Sequence, residues 1–342
     1  MSPKIFITGI TGYIGGSVFD AIVKRHPEYD VTAFVRKTPS DFEVKYPDVK
    51  LVYGTWDDSE ILKKAASEAD IVVQCGNSDH LGAVTALLDG LVARGKKSFY
   101  IHLSGTGILS DFKDPEGPAN RGRLSQKVYN DLTGIAEVIS RPDGSLHRHT
   151  DKAIQNAAAK HKDVLKTAIV CPPDIYGRGH GPGKRESIYF PLFIDEIKKL
   201  GYAFYSREGE NLRGWVHIDD LVDVYIKLIE AAAAGGGNVT WGPEGYFFTT
   251  SQEASQKELA TVTGRILHAK GLISSSEPKS VSDEVIEQML KAIPYPDIGF
   301  YMFSNNSRAK PERAKKELGY EPKAPTLWET VEADIDDALR VT

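Results

Sequence analysis

Cysteine is nearly missing from this chain: there are two in 342 residues, Cys75 and Cys171. Two cannot build a disulfide framework. Both fall in apolar runs that read as buried strands, so a reducing compartment is expected, with the cytoplasm as the location. Long hydrophobic runs are missing too. No stretch of about 18 or more apolar residues occurs, so no membrane span and no membrane partner are expected. The first strand pattern begins so close to Met1 that no signal or transit peptide is expected ahead of it. Nor is there an excess of positive charge. The 42 Lys and Arg are outnumbered by 47 Asp and Glu, a formal net charge of −5, which argues against a nucleic acid partner. What is present is globular material: 41% hydrophobic residues, enough to supply a core. The length allows one large or two modest domains.

The most informative stretch is Thr8-Gly-Ile-Thr-Gly-Tyr-Ile-Gly15. It reads T-G-x-x-G-x-x-G, follows the apolar run Ile5-Phe6-Ile7 and opens an amphipathic segment, Tyr13 to Arg25. A glycine turn between strand and helix binds dinucleotides for stated physical reasons. Gly9 permits the tight turn, Gly12 lets the backbone approach a pyrophosphate, and Gly15 lets the helix pack on the strand. The helix N-terminus then faces the phosphates. Thr11, Tyr13 and Ile14 belong to the same cradle. The second strand, Asp30–Val35, ends in Arg36-Lys37, about 20 residues past the glycines, where an NAD-specific fold places a carboxylate for the ribose. A guanidinium there pairs with a 2′-phosphate instead. The cofactor reading is NADP(H).

Strand and helix patterns alternate up to about residue 175. Strands are expected at Val49–Tyr53, Asp70–Gln74, Ser98–Leu103 and Leu165–Cys171. Helices are expected at Ser59–Glu68, Asp79–Arg94 and Asp151–His161. The fold class is therefore α/β: a Rossmann-type, doubly wound parallel sheet with right-handed crossovers. A long polar stretch, Thr106 to His149, interrupts it and suits a lid or binding loop. Beyond it, helices are expected at Tyr189–Leu200, Asp219–Ala234, Ser251–Thr263, Val281–Ile293 and Leu327–Leu339. They make a smaller C-terminal α+β cap. The expected division is 1–180 for the cofactor domain and 181–342 mainly for the cap, with some segments returning to the core. Ligands in such sheets sit beyond the carboxyl ends of the strands.

Five segments, in order, resemble the extended short-chain dehydrogenases/reductases, the NAD-dependent epimerase/dehydratase group. Besides Thr8–Gly15, Gly54-Thr-Trp-Asp-Asp58 is similar to the family's G-D-x-x-D. Cys171-Pro-Pro-Asp-Ile-Tyr-Gly177 is similar to R-P-x-x-x-Y-G. Arg213-Gly-Trp-Val-His-Ile-Asp-Asp220 is similar to R-D-x-x-H-V-x-D, and Leu318-Gly-Tyr-Glu-Pro322 to L-G-x-x-P. The resemblance implies that Thr55 and Trp56 line the adenine. It implies that Cys75, Gly76 and Asn77 border the cofactor, and that Pro172, Ile175 and Tyr176 pass the nicotinamide. Tyr176 and Arg213 are the implied substrate contacts, and the family commonly pairs as a homodimer.

Such enzymes work with a Tyr-x-x-x-Lys pair and a Ser or Thr. Lys152 stands at the expected place, but Arg148 stands four residues before it, where the tyrosine should be. The only Tyr-x-x-x-Lys, Tyr46–Lys50, lies between the second and third strands, too far from a nicotinamide. Gly105 takes the usual place of the catalytic hydroxyl, with Thr106 beside it. Replacement acids are His149, with His147 bracketing the vacated position, and Tyr129 from the long stretch; Arg148 suits an anionic substrate. Asp219 or Asp220 is the expected N-cap of its helix. No metal is expected. The leading expectation is an NADP(H)-dependent reductase of a small carbonyl, imine or conjugated alkene. The alternatives are a nucleotide-sugar epimerase, dehydratase or isomerase, and an NADP(H)-sensing protein without turnover.

Overall fold

A computed structural model describes residues 2–342. Five short strands alternate with four helices in its first third. The strands are β1 (Lys4–Thr8), β2 (Asp30–Val35), β3 (Lys50–Tyr53), β4 (Ile71–Gln74) and β5 (Ser98–Leu103). The helices are α1 (Tyr13–Arg25), α2 (Phe42–Lys45), α3 (Ser59–Ser67) and α4 (Leu81–Ala93). Ile5, Phe6 and Ile7 are all buried, as a strand covered on both faces requires.

The long polar stretch is folded rather than loose. It holds α5 (Gly117–Asn120), β6 (Tyr129–Asn130) and α6 (Ile135–Ile139) before α7 (Arg148–Lys160). Charges pin it. The Asp111 carboxylate accepts from Asn120, from the Asn305 side chain and from both the backbone and side chain of Asn306. Arg141 donates to Asp114 at 2.7 and 3.0 Å and to the carbonyls of Ile108 and Ser110. A lid would not be tied down by so many buried partners.

Strands β7 (Leu165–Cys171) and β8 (Asp174–Tyr176) lead into α8 (Tyr189–Leu200), β9 (Phe204–Ser206), β10 (Leu212–His217) and α9 (Ile218–Ala233). Next come β11 (Tyr246–Phe248), β12 (Gln252–Ser255), α10 (Gln256–Ala269), β13 (Lys279–Val281), α11 (Asp283–Gln288) and α12 (Ile298–Phe303). The chain ends in β14 (Ala309–Lys310), α13 (Glu312–Leu318) and α14 (Leu327–Leu339). The central sheet has seven strands in the order β11-β7-β5-β4-β1-β2-β3, every pair parallel. The cap carries a β12-β10-β8 sheet and its own aromatic core around Trp215, Tyr189, Phe193 and Phe303. Strand β11 leaves the cap to join the central sheet, and β14 pairs with β6 of the insertion.

Four expected helices differ. The one at Asp151–His161 begins three residues earlier, at Arg148. The one at Ser251–Thr263 begins at Gln256, because Ser255 and Glu258 form a capping box and Gln252–Ser255 pairs with β10. The one at Val281–Ile293 shortens to Asp283–Gln288: Val281 belongs to β13, and Leu290 takes a positive φ of 59°. Helix α9 is capped by His217, whose Nδ1 accepts from the Asp219 amide. Asp220 instead accepts from the amides of Lys323 and Ala324. No helix among the described residues is long and apolar enough to cross a membrane.

Candidate functional site

A cleft of about 500 Å³ opens at the carboxyl ends of β1, β4, β5 and β7. Its floor begins at the glycine turn. Gly9 has φ +80°, and a Cβ there would lie 2.4 Å from the Cys75 carbonyl oxygen. Gly15 is equally constrained, since its Cβ would meet the Gly9 carbonyl oxygen at 2.4 Å. Gly12 is the extended residue before α1, with no side chain capping the helix. The first-turn amides therefore have no side-chain partner, which is the arrangement that holds a pyrophosphate. Tyr13 and Ile14 line the cleft, and the Tyr13 hydroxyl donates to the Gly177 carbonyl at 2.6 Å. Thr11 is exposed, and its carbonyl accepts from the Lys184 amide at 3.0 Å. The residues present fit a dinucleotide.

At the end of β2, Arg36 and Lys37 are exposed. Neighbouring Lys45 and Lys50 are held by Asp41 and Asp30; Arg36 and Lys37 enter no ion pair among the described residues. Thr55 donates its amide and hydroxyl to Asp58, forming the turn ahead of α3. The Trp56 indole covers Gly76 so closely that a Cβ on Gly76 would lie 2.1 Å from it. Cys75 and Gly76 line the cleft. Burial pushes the Cys75 thiol up to about 12, outweighing the lowering effect of its hydrogen bond with Tyr225, so it is inert. Asn77 is a turn residue: its side-chain oxygen accepts from the Asp79 amide at 3.1 Å.

The catalytic wall departs from the expectation by one residue of register. His147, not Arg148 or His149, enters the cleft. It precedes α7 in the left-handed conformation, φ 62°. Its Nδ1 donates to the Asp79 carboxylate at 3.0 and 3.1 Å. Its Nε2 lies 3.1 Å from where a Cβ on Gly105 would be, and 3.3 Å from one on Gly107. A side chain at position 105 would press against this imidazole. Burial pulls this histidine down, but the hydrogen bond and charge of Asp79 outweigh it, so its pKa rises above 6.5. Four residues on, Asp151 occupies the same helix face, fully buried, accepting from Ser104 at 3.0 Å and Tyr246 at 3.2 Å. Burial pushes its carboxyl up to about 6.

Four expected roles are corrected here. Lys152 is 47% exposed and turned away, paired with Asp143 at 2.8 Å. Arg148 is buried on the far side, donating to the carbonyls of Ile139 and Arg141 and to Gln155. It holds the insertion and is closed to substrate. His149 is exposed, with Nε2 on the Asp79 carbonyl. Tyr129 is locked in β6, its hydroxyl accepting from Arg141 at 2.8 Å, so it cannot swing into the cleft. Thr106 does line the cleft, its amide on the Pro172 carbonyl and its own carbonyl accepting from Ser307.

The opposite wall comes from the cap. Pro172 and Ile175 line the cleft. Tyr176 does not: its ring is buried, and its hydroxyl donates to the Pro325 carbonyl and accepts from Gln252. Arg213 reaches the cleft but is already used. It is 3% exposed, grips Asp174 at 2.5 and 3.0 Å, and donates to the Tyr301 carbonyl at 2.7 Å. Its guanidinium also lies 4.7 Å from the Tyr301 ring centre. Arg213 therefore positions Tyr301, whose hydroxyl sits 2.9 Å from a Cβ placed on Gly107, facing the same point as His147 Nε2. Asp79, Asp151 and Tyr301 escaped the sequence reading. The one available signal was His147-x-x-x-Asp151, which has the spacing of the absent Tyr-x-x-x-Lys.

The pattern of the NmrA-like family matches residues 1–114, and that of the NAD dependent epimerase/dehydratase family matches residues 142–241. In sequence, the chain is similar to the oxidase ucsJ of an Acremonium species, 31% identical over 98% of this chain and 97% of that one. In fold, it is similar to the dTDP-glucose 4,6-dehydratase of Bacillus anthracis in complex with NAD. That match has a TM-score of 0.65 at 15% identity and covers 99% and 97% of the two chains. The UDP-glucose 4-epimerase of Thermotoga maritima matches with a TM-score of 0.64 at 16% identity, over 99% of each chain.

Proposed function

The chain belongs to the extended short-chain dehydrogenase/reductase family, and from that premise we propose that it is a nicotinamide-dinucleotide-dependent oxidoreductase whose proton-transfer group is His147. The carrying observation is the Asp79–His147 pair with Nε2 turned into the cleft beside Gly105. It lies beside Gly105 and Gly107, on the same lining as Thr106 and Tyr301. The solved relative with NAD bound and the oxidase relative support the redox class.

The dinucleotide, when bound, supplies the hydride chemistry of the reaction. This chain's residues do the rest. The first turn of α1 and Gly9–Gly15 hold the pyrophosphate, and Trp56 walls the adenine side. We assign NADP(H) over NAD(H) because Arg36 and Lys37 are exposed and uncompensated at the end of β2. In the reductive direction, protonated His147 gives its Nε2 proton to the substrate oxygen, and Asp79 stabilises the imidazolium beforehand. In the oxidative direction the neutral imidazole takes the proton. Placed acids of this kind contribute about 10²–10⁴ in rate. The Tyr301 hydroxyl and Thr106 border the same point and orient the oxygen. Small carbonyls, imines and conjugated alkenes all suit this chemistry.

Two measurements test the reading. His147→Phe should lower kcat about 10²–10⁴-fold while leaving dinucleotide affinity within about twofold. A variant with unchanged turnover would remove His147 from the chemistry. Arg36→Asp should weaken NADPH about 10–100-fold, by removing the bidentate partner and adding a repelling carboxylate, with NADH hardly changed. Equal loss of both would defeat the NADP(H) assignment.

A further inference from the structure

We propose that the substrate half of the cleft takes an uncharged, largely hydrocarbon carbonyl or alcohol and excludes nucleotide sugars and other anions. This rests on the redox reading of the cleft given above and adds the substrate class.

Three observations carry it. First, the one buried cation on the substrate wall is neutralised internally. Both the Nε and one terminal nitrogen of Arg213 are on Asp174, and its other terminal nitrogen is on the Tyr301 carbonyl. A buried guanidinium with a carboxylate already in its fork has no charge left to offer a phosphate. Second, the remaining charged groups on the lining also come as opposites. His147 faces Asp79, and the lining also carries one lysine, Lys184, and one glutamate, Glu186. Lys184 is moreover anchored through its amide to Thr11, at the cofactor end. Third, a broad part of the wall is hydrocarbon: Leu146 from the insertion, Ile188 and Leu192 from the start of α8, and Ile293, Ile298 and Met302 around α12. Ile188 is 65% exposed at the mouth. An exposed isoleucine on the rim of a concave apolar wall gains by covering a hydrocarbon surface. An anion placed against this hydrocarbon wall would lose its water without gaining a counter-charge from Arg213.

The test uses the full-length protein and a matched pair of probes. 4-Phenyl-2-butanone and 4-phenyl-2-oxobutanoate share a skeleton and differ by a methyl group against a carboxylate. With NADP+ present, so that no hydride can be transferred to either probe, calorimetric titration should show the neutral ketone binding at least about tenfold more tightly than the oxo acid. dTDP-glucose should not saturate the protein at millimolar concentration. Equal or tighter binding of the oxo acid, saturable binding of dTDP-glucose, or no binding of the neutral ketone overturns the proposal. Titration of NADPH alone, run first, reads the underlying cofactor assignment separately. A second arm uses Asp174→Asn, which frees the Arg213 charge. With its melting transition retained, this variant should bind the oxo acid at least about tenfold better than the parent does. No gain in a folded variant overturns the role given to the Asp174–Arg213 pair.

Discussion

Helices α1 and α7 both present their N-termini to the cleft, α1 behind an extended Gly12 and α7 behind His147 in the left-handed conformation. In α1 the working groups are backbone amides, and side chains must be absent for them to work. In α7 the group turned to the cleft is the side chain of His147, with Asp151 buried one turn behind it, and the backbone only aims them. A steric requirement leaves a sequence pattern, because only glycine satisfies it. An aiming requirement leaves almost none. One residue along a helix turns the side chain by about 100°. Reading α7 from Lys152 rather than Asp151 therefore moves the whole working face off the cleft.

The largest expected effect breaks the α1 side. Gly15→Val puts branched carbon where the Gly9 carbonyl oxygen stands, 2.4 Å from the Cβ position. Neither backbone can yield without opening the turn. Dinucleotide affinity should fall more than about 100-fold, the loss expected when a phosphate cradle is filled. Fluorescence titration with NADPH checks it, with circular dichroism to show that the sheet persists. A folded Gly15→Val protein with parental affinity would mean that the turn does not hold the cofactor.

This difference also sets how much of the molecule was legible in advance. The alternation of strands and helices up to β7 was readable because both faces of a parallel sheet are covered, leaving continuous apolar runs such as Ile5–Ile7 and Ile71–Val73. The glycine turn and the Arg36 position followed from the same regularity. The insertion at 106–149 was readable only as polar chain. Its order comes from contacts distant in sequence, such as Asp111 with Asn305 and Asn306, which no local pattern records. Short strands like β8 and β14 exist for the same reason. In the site, Arg213 was visible as an arginine, but its neutralisation by Asp174, on a different strand, was not. His147 was visible as a neighbour of the vacated position. The decision between it and His149 needed Asp79, nearly 70 residues earlier in the chain.

A middle-sized effect sharpens the α7 side. Asp79→Asn keeps a hydrogen-bond acceptor for His147 Nδ1 but removes the charge that raises its pKa against burial. Reduction needs the protonated imidazole, so kcat/KM holds below that pKa and falls about tenfold per pH unit above it. In the parent the falling limb lies above 6.5; in Asp79→Asn it should move to lower pH. Well above both pKa values a displacement of one unit costs about tenfold in rate, and well below both the two proteins should agree. A pH–rate profile with one ketone checks this. A limb that stays in place would assign the titration to another group.

The smallest effect is the most direct test of register. Lys152→Ala removes the residue that the family pattern makes indispensable, four after the tyrosine's usual place. In this chain that ammonium is half exposed and held by Asp143, itself 73% exposed. A surface pair of this kind contributes about 0–1 kcal/mol to stability and has no contact with the cleft. Turnover and NADPH affinity should both stay within about twofold of the parent, since no group touching the cofactor or substrate is lost. A loss of more than about tenfold in either would restore Lys152 to the working face. It would also require α7 to turn by about 100° when the cofactor binds. That rotation would drag Asp151 out of its contacts with Ser104 and Tyr246. An expendable Lys152 leaves only one register for the helix: the side that faces the cleft carries His147, with Asp151 buried one turn behind it.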